Sequence, residues 1–254
     1  MGNMGRKRGS YEDKPWMHKP RAFGNYGPTR PKAIFFDVDD TLVDRTGAFA
    51  RYFEALMARF PSVFPEHRRA EDFATIQSFD GRGGRDRDAF CLDVTKTFPM
   101  GISAKELWTD FRMTLPGLVG TDAKLVEWVS ALAKRHPVVT VSNGFAGTQR
   151  MKLLRAGLYH AVPEGFFSSE VGVEKPDPRI FLAALEHVRR EPSEVLHVGD
   201  DPERDIVGAA KVGITTCWVS HGRPWPAALP PPTFTVERIT SRVEDFAQVL
   251  STWT

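Results

Sequence analysis

Short apolar runs, each ending in a polar side chain and then giving way to a helical stretch, constrain this chain more than any other feature. Residues 32–37 (Lys-Ala-Ile-Phe-Phe-Asp) end in an acidic cluster. Residues 137–142 are β-branched and end at Ser142, just before Asn143-Gly144. Residues 194–200 end in Gly199-Asp200, and residues 215–219 form a fourth run, with a short candidate strand at 165–168. Runs of this length, rich in Val, Ile and Phe and bounded by turn residues, read as buried strands. Helical spacing predicts helices over 125–132, 148–156, 177–187, 205–212 and 243–250. Pro178 opens the third of these and Gly213 closes the fourth. Strand and helix alternating along the chain imply an α/β fold, a parallel sheet with helices on both faces. No internal repeat is present.

One block interrupts the alternation. From 46 to 115 the apolar residues recur only at helical spacing: Phe49, Tyr52, Phe53, Leu56 and Phe60, then Leu107, Phe111 and Leu115. Glycines make the stretch from Phe79 to Arg87 a loop. The block reads as a second, helical domain at 46–115, inserted into a core made of 32–45 and 116–254. The aromatics Phe49, Tyr52 and Phe53 read as its core rather than as a stacking platform. A chain of 254 residues accommodates one large domain or two small ones.

Charge is uneven. Residues 1–31 carry seven Lys and Arg against two acidic side chains, although the whole chain is only +2. This segment is rich in Gly and Pro, has no apolar period, and reads as a flexible basic arm. Its charges are too dispersed for strong phosphate-backbone binding, so nucleic acid is an unlikely partner on these grounds, with RNA association left as a rival reading. The arm has neither the apolar middle of a secretory signal nor a myristoylation motif. No apolar stretch is long enough to span a membrane. Two cysteines, Cys91 and Cys217, exclude a disulfide framework and fit a reducing, cytoplasmic setting.

In an open parallel sheet, ligands bind beyond the carboxyl ends of the strands. Asp37, Ser142 and Asp200 each stand at such an end and would meet in one cleft. Asp37, Asp200 and Asp205 together offer oxygen ligands of the kind Mg²⁺ takes, and without a cation they would repel. A single acidic cluster is ordinarily a solvated loop; two at neighbouring strand ends are harder to read that way. Lys175, in Glu174-Lys175-Pro176-Asp177-Pro178, is either a surface charge or a cation held among these carboxylates. Ser142-Asn143-Gly144 is either a plain turn or a hydroxyl with backbone N–H groups that cradles phosphate.

These segments, in this order, resemble the four motifs of the haloacid dehalogenase-like (HAD) hydrolases. Asp37-Val38-Asp39-Asp40-Thr41-Leu42 matches the first, Ser142 the second, Lys175 the third and Gly199-Asp200 through Asp205 the fourth. The resemblance covers roughly residues 32–250. It implies a Rossmann-like core with a helical cap between the first two motifs. It implies that Asp37 is a nucleophile forming an aspartyl phosphate, and that Asp39 is the acid and base for the leaving group and water. Ser142, Asn143 and Gly144 would bind phosphate, with Lys175 pairing Asp37. Mg²⁺ would be held by Asp37, the Asp39 carbonyl, Asp200 and Asp205. The second aspartate, Asp39, favours phosphoryl chemistry over dehalogenation.

The residues around Ser142 and Lys175, and Thr216-Cys217-Trp218-Val219 with the Pro-rich loop beyond, are similar to capped phosphatases that include pyrimidine 5′-nucleotidases. The expected substrate is a small phosphomonoester, such as a nucleoside 5′-monophosphate. Rival readings are a phosphoglycolate or sugar-phosphate phosphatase, a phosphomutase, and a catalytically silent binding module. Arg82 and Arg85, in the Gly81–Arg87 loop, would contact a second anionic group or stack on a base. His197 and Trp218 read as core. A monomer or homodimer is expected.

Overall fold

The computed structural model describes residues 31–239 and 249–250. Apart from Pro31, the basic arm lies outside the described residues, as does most of the helix expected at 243–250. Six strands form one sheet: β1 (Ala33–Phe36), β2 (Val138–Ser142), β3 (Gly165–Phe167), β4 (Val195–Gly199), β5 (Thr215–Val219) and β6 (Phe234–Val236). Their order is β3-β2-β1-β4-β5-β6, and every neighbouring pair is parallel. The last strand had no counterpart in the sequence reading. Three residues beyond a Pro-rich loop carry too short a pattern to be recognised alone.

All four residues of β1 have no exposed surface. A strand covered on both faces has no polar side to alternate with, which is why its sequence is a continuous apolar run. Successive side chains still go to opposite faces. Ile34 and Phe36 join one hydrophobic cluster, whereas Ala33 and Phe35 join another with Ile180, Phe181 and Leu185 of the helix Pro178–Val188.

Between β1 and β2 run five α-helices: α1 (Arg45–Arg59), α2 (Arg69–Asp80), α3 (Arg87–Thr97), α4 (Ala104–Thr114) and α5 (Ala123–Ala133). Their starts are written locally. The Asp44 carboxylate accepts from Gly47 N at α1, and Ser103 with Glu106 forms a capping box at α4. Phe49 and Phe53 of α1, Phe90 of α3 and Phe111 of α4 pack with ring centroids 4.6–6.1 Å apart. These rings, with Tyr52, are buried, as expected for core aromatics.

After β2 come α6 (Ala146–Arg155), α7 (Ser168–Val171) and α8 (Pro178–Val188). The helix expected at 205–212 begins earlier and is not uniform. Residues Pro202–Val207 form a π-turn that leads into α9 (Gly208–Lys211). Ile206 N bonds Asp201 O, an i→i+5 step, and the Asp201 carboxylate caps Glu203 N and Arg204 N. The wider turn brings Asp205 against the end of β4. There a Cβ on Gly199 would collide with the Asp205 carboxyl, so the glycine before Asp200 makes room for it.

Candidate active site

β1 lies between β2 and β4, where the chain reverses its direction of travel across the sheet. The crevice at such a switch point opens beyond the carboxyl ends of the two diverging strands. Asp37 N donates to Val198 O at 2.9 Å, so Asp37 sits at the lip between β1 and β4. Carboxylate oxygens of Asp37, Asp200 and Asp205 all lie within 4.8 Å of one another.

The Lys175 ammonium reaches into this group. It donates to Asp37 Oδ1 at 2.6 Å and to Asp205 Oδ1 at 2.5 Å. Its loop is clamped by Asn143, whose side chain accepts from Lys175 N at 2.7 Å and donates to Lys175 O at 3.0 Å. His197, wholly buried, contacts Asp205 Oδ1 through Nε2 at 3.1 Å. Burial holds His197 below its ordinary pKa, and its Nδ1 has no hydrogen-bond partner.

Lys175 bonds two of the three carboxylates, and Asp200 instead accepts from Arg82 and Arg223. Burial pushes Asp37 up to about 6 against the pull of Lys175, with Asp205 and Asp39 adding to the rise. Burial, Asp205 and Asp37 push Asp200 up to about 7. Asp205 goes the other way: burial would raise it, but Lys175 and His197 hold it below the usual carboxylate range. A site whose carboxylates resist ionisation because they are buried and crowded together, with only oxygen donors, fits a hard divalent cation. Asp37, Asp200 and Asp205 could hold a metal ion.

Asp39 stands apart from that cluster. Both of its oxygens are held by Lys152 Nζ, at 2.7 and 2.8 Å, and Gln149 Nε2 donates to Oδ2 at 3.1 Å. Burial would raise Asp39, yet Lys152 and Arg45 outweigh it and leave the carboxyl below its ordinary value. The same Gln149 nitrogen lies 2.9 Å from Ser142 Oγ. Gly144 N donates to Ser168 Oγ at 2.9 Å. Ser142, Asn143 and Gly144 thus gather at the end of β2 beside Asp37, with the Gly144 N–H already used within the fold.

A cavity of about 610 Å³ extends from this floor toward the helical segment. Arg82 lines it and donates to Asp200 Oδ2 at 3.2 Å, while Arg223, from the loop after β5, donates to the same oxygen at 3.1 Å. Arg85 also lines the cavity but donates to Asp93 at 2.9 Å. The opposite wall is Trp108, Phe111 and Arg112 of α4 with Leu115 just beyond, a stripe at i, i+3, i+4 and i+7. The Arg112 guanidinium packs 5.7 Å from the Phe145 ring, and no carboxylate pairs with it among the described residues.

Sequence reasoning missed Gln149, Lys152, Arg223 and the α4 wall. A signal existed for two of them: Gln149 and Lys152 fall on the buried face of α6 with Ala146 and Leu153. Polar residues in register with an apolar stripe have been placed inside for a partner. Trp218, read as core, is buried and donates from its indole to Asp200 O at 2.9 Å, bracing the end of β4.

A doubly wound parallel sheet gathers acidic groups, a buried lysine and a serine at its switch point, which defines an α/β protein with its ligand site beyond the strand ends. The model of the haloacid dehalogenase-like hydrolases matches residues 31–213, and the chain belongs to this family. A glyceraldehyde 3-phosphate phosphatase of Methanothermobacter thermautotrophicus is 31% identical over 199 residues, 74% of this chain and 85% of that protein. A pyrimidine 5′-nucleotidase of Escherichia coli is 37% identical over 116 residues, 45% of this chain and 51% of that protein. Some phosphatase relatives match over shorter stretches, one across only 36% of its length. Among solved structures, a magnesium-bound HAD-hydrolase of Bacillus subtilis superposes with a TM-score of 0.70 at 22% identity, covering 88% of this chain and all of that one. The chain is a phosphatase of the HAD type.

Proposed function

We propose that the protein hydrolyses a small phosphomonoester through an aspartyl phosphate on Asp37, with Mg²⁺ as cofactor. The observation that carries this reading is the Asp37 carboxylate. It is buried at a strand end, oriented by Lys175 at 2.6 Å, and grouped with Asp200 and Asp205. In this scheme an Asp37 oxygen attacks phosphorus and the ester oxygen departs, taking a proton from Asp39. Water deprotonated by Asp39 then attacks phosphorus, releasing phosphate and restoring Asp37. Ser142 and Asn143 at the turn bind the phosphate oxygens, while Gly144 gives its N–H to Ser168 and shapes the turn, and Lys175 neutralises charge beside Asp37. Bound at Asp37, Asp200 and Asp205 with the Asp39 carbonyl, Mg²⁺ would supply charge neutralisation for the nucleophile and the phosphoryl group.

The helical segment 46–115 acts in this reading as a cap over the core formed by 32–45 and 116–254, and as the part that selects the ester. A nucleoside 5′-monophosphate is the favoured substrate. The cavity is roomy for a three-carbon phosphate, and its α4 wall offers an indole and a guanidinium to a flat ring. A sugar phosphate is the second reading, favoured by the glyceraldehyde 3-phosphate phosphatase relative that matches 74% of the chain. Arg82 and Arg85 serve the cavity rim in either case. Among the described residues no helix is long and apolar enough to cross a membrane, and we place the enzyme in the cytoplasm.

The test is phosphate release from UMP, dTMP, AMP, glyceraldehyde 3-phosphate and 2-phosphoglycolate with Mg²⁺. Asp37→Asn should lower turnover by on the order of 10⁴-fold or more, and EDTA should abolish it reversibly. Release that survives Asp37→Asn overturns the reading.

A further inference from the structure

We infer that Gln149 and Lys152 are positioning residues that carry Asp39 and Ser142 as one rigid unit on helix α6. The inference rests on the proposed role of Asp39 as leaving-group acid. Its basis is geometric. Lys152 is 5% exposed and spends its ammonium entirely on Asp39, at 2.7 and 2.8 Å. Gln149 is 2% exposed, and its nitrogen reaches three acceptors: Asp39 Oδ2, Ser142 Oγ and Asn143 O. A carboxylate and a carbonyl can only accept, so the amide nitrogen must face them. The amide oxygen is thereby turned the other way, where it is buried without a donor.

That arrangement is poor for stability. An unsatisfied buried acceptor is a net cost, and the desolvation of a buried ammonium offsets much of what its ion pair contributes. Asp39, more than a quarter exposed at its side chain, could be solvated without either partner. What the pair accomplishes is to join two distant points of the sequence. Asp39 follows β1 and Ser142 ends β2, and one helical turn of α6 holds both. The Asp39 carboxyl and the phosphate bound near Ser142 then keep a fixed separation, which in-line transfer requires.

The test separates positioning from support by the demand of the leaving group. A 4-nitrophenolate leaves with little help from an acid; an alkoxide does not. We compare kcat/KM for 4-nitrophenyl phosphate with that for whichever alkyl ester of the panel the wild type hydrolyses fastest. Lys152→Met should lower the alkyl value by about 10²-fold and the aryl value by less than about 10-fold, even though losing the ammonium makes Asp39 easier to protonate, so that the split reads geometry rather than acidity. Gln149→Leu should act in the same direction with a smaller split, and Lys152→Arg should recover part of the alkyl activity. Combined with Asp39→Asn, Lys152→Met should add no further loss, because it acts through Asp39. Equal losses on both esters, a loss that tracks a fall in melting temperature, or additivity in the double variant would overturn the inference. If Asp39→Asn alone shows the split and Lys152→Met does not, the inference falls while the role of Asp39 stands. No split in Asp39→Asn, or no hydrolysis of either ester by the wild type, sinks both.

Discussion

Two buried ion networks, one in the helical segment and one at the sheet, are built on opposite principles. In the helical segment Asp80 is 2% exposed and fully satisfied. Arg45 of α1 grips both its oxygens at 2.6 Å, Arg87 of α3 adds a bond at 2.8 Å, and Gly83 N a fourth at 2.9 Å. Two guanidinium groups meet one carboxylate, and burial's upward push on Asp80 is outweighed, so its pKa falls below the ordinary value. At the sheet, Asp37 and Asp205 share Lys175 while Asp200 meets Arg82 and Arg223, and burial and mutual repulsion still push Asp37 and Asp200 up. The first network ties α1, α2 and α3 together and sets the loop that delivers Arg82 to Asp200. The second buries carboxylates against one another, a crowding that a bound cation can relieve. Proteins tolerate such crowding where binding repays it.

The contrast can be broken at its strong end first. Asp80→Asn removes the counter-charge of the buried Arg45 guanidinium and of the partly buried Arg87. It should destabilise the protein by about 3–5 kcal/mol, a fall of roughly 10 °C or more in melting temperature. The pH dependence follows with a definite sign. A carboxyl lowered in the native state stabilises it fully above the ordinary carboxylate value of 3.8, and this is lost as the pH falls through the lowered native value. Below about pH 4 the wild-type melting temperature should therefore drop more steeply than that of Asp80→Asn. Parallel curves would mean that the network contributes no net charge stabilisation.

At the sheet the same kind of change should do the reverse. Asp200→Asn removes one of three crowded charges, so the metal-free protein should melt at the same temperature or a few degrees higher. Millimolar Mg²⁺ should raise the melting temperature of the wild type and leave that of the variant unchanged. A destabilised Asp200→Asn would mean that its bonds to Arg82 and Arg223 matter more than charge crowding. The smallest effect should come from the cavity wall. Trp108→Ala should raise KM for UMP by about 10-fold, with kcat nearly unchanged and little effect on 2-phosphoglycolate. Equal effects on both esters would move the choice of substrate away from α4.

The strands were legible because burial on both faces writes itself as an apolar run, and β1, β2, β4 and β5 fall within a residue or so of their expected limits. Convergence of Asp37, Ser142 and Asp200 was legible for a related reason: strand ends in a parallel sheet point the same way. Lys175 was legible only through its motif, since nothing in a Pro-flanked lysine announces burial. Asp205 was expected on an ordinary helix, and its π-turn depends on room beside Gly199 that local pattern does not record. Arg82 and Arg85 were expected at the cleft and do line it, but which carboxylate each meets is decided by folding: Asp200 for one and Asp93 for the other.

The sequence by itself determined the parallel sheet, the helical interruption and the set of side chains brought to the strand ends, because periodicity and turn chemistry are local properties. Only the tertiary structure decided their partners. Lys152 meets Asp39 across 113 residues and Lys175 meets Asp37 across 138. No period links residues so far apart; the packing of α6 and of the Lys175 loop against the end of β1 sets those distances, and with them the balance of charge in the site.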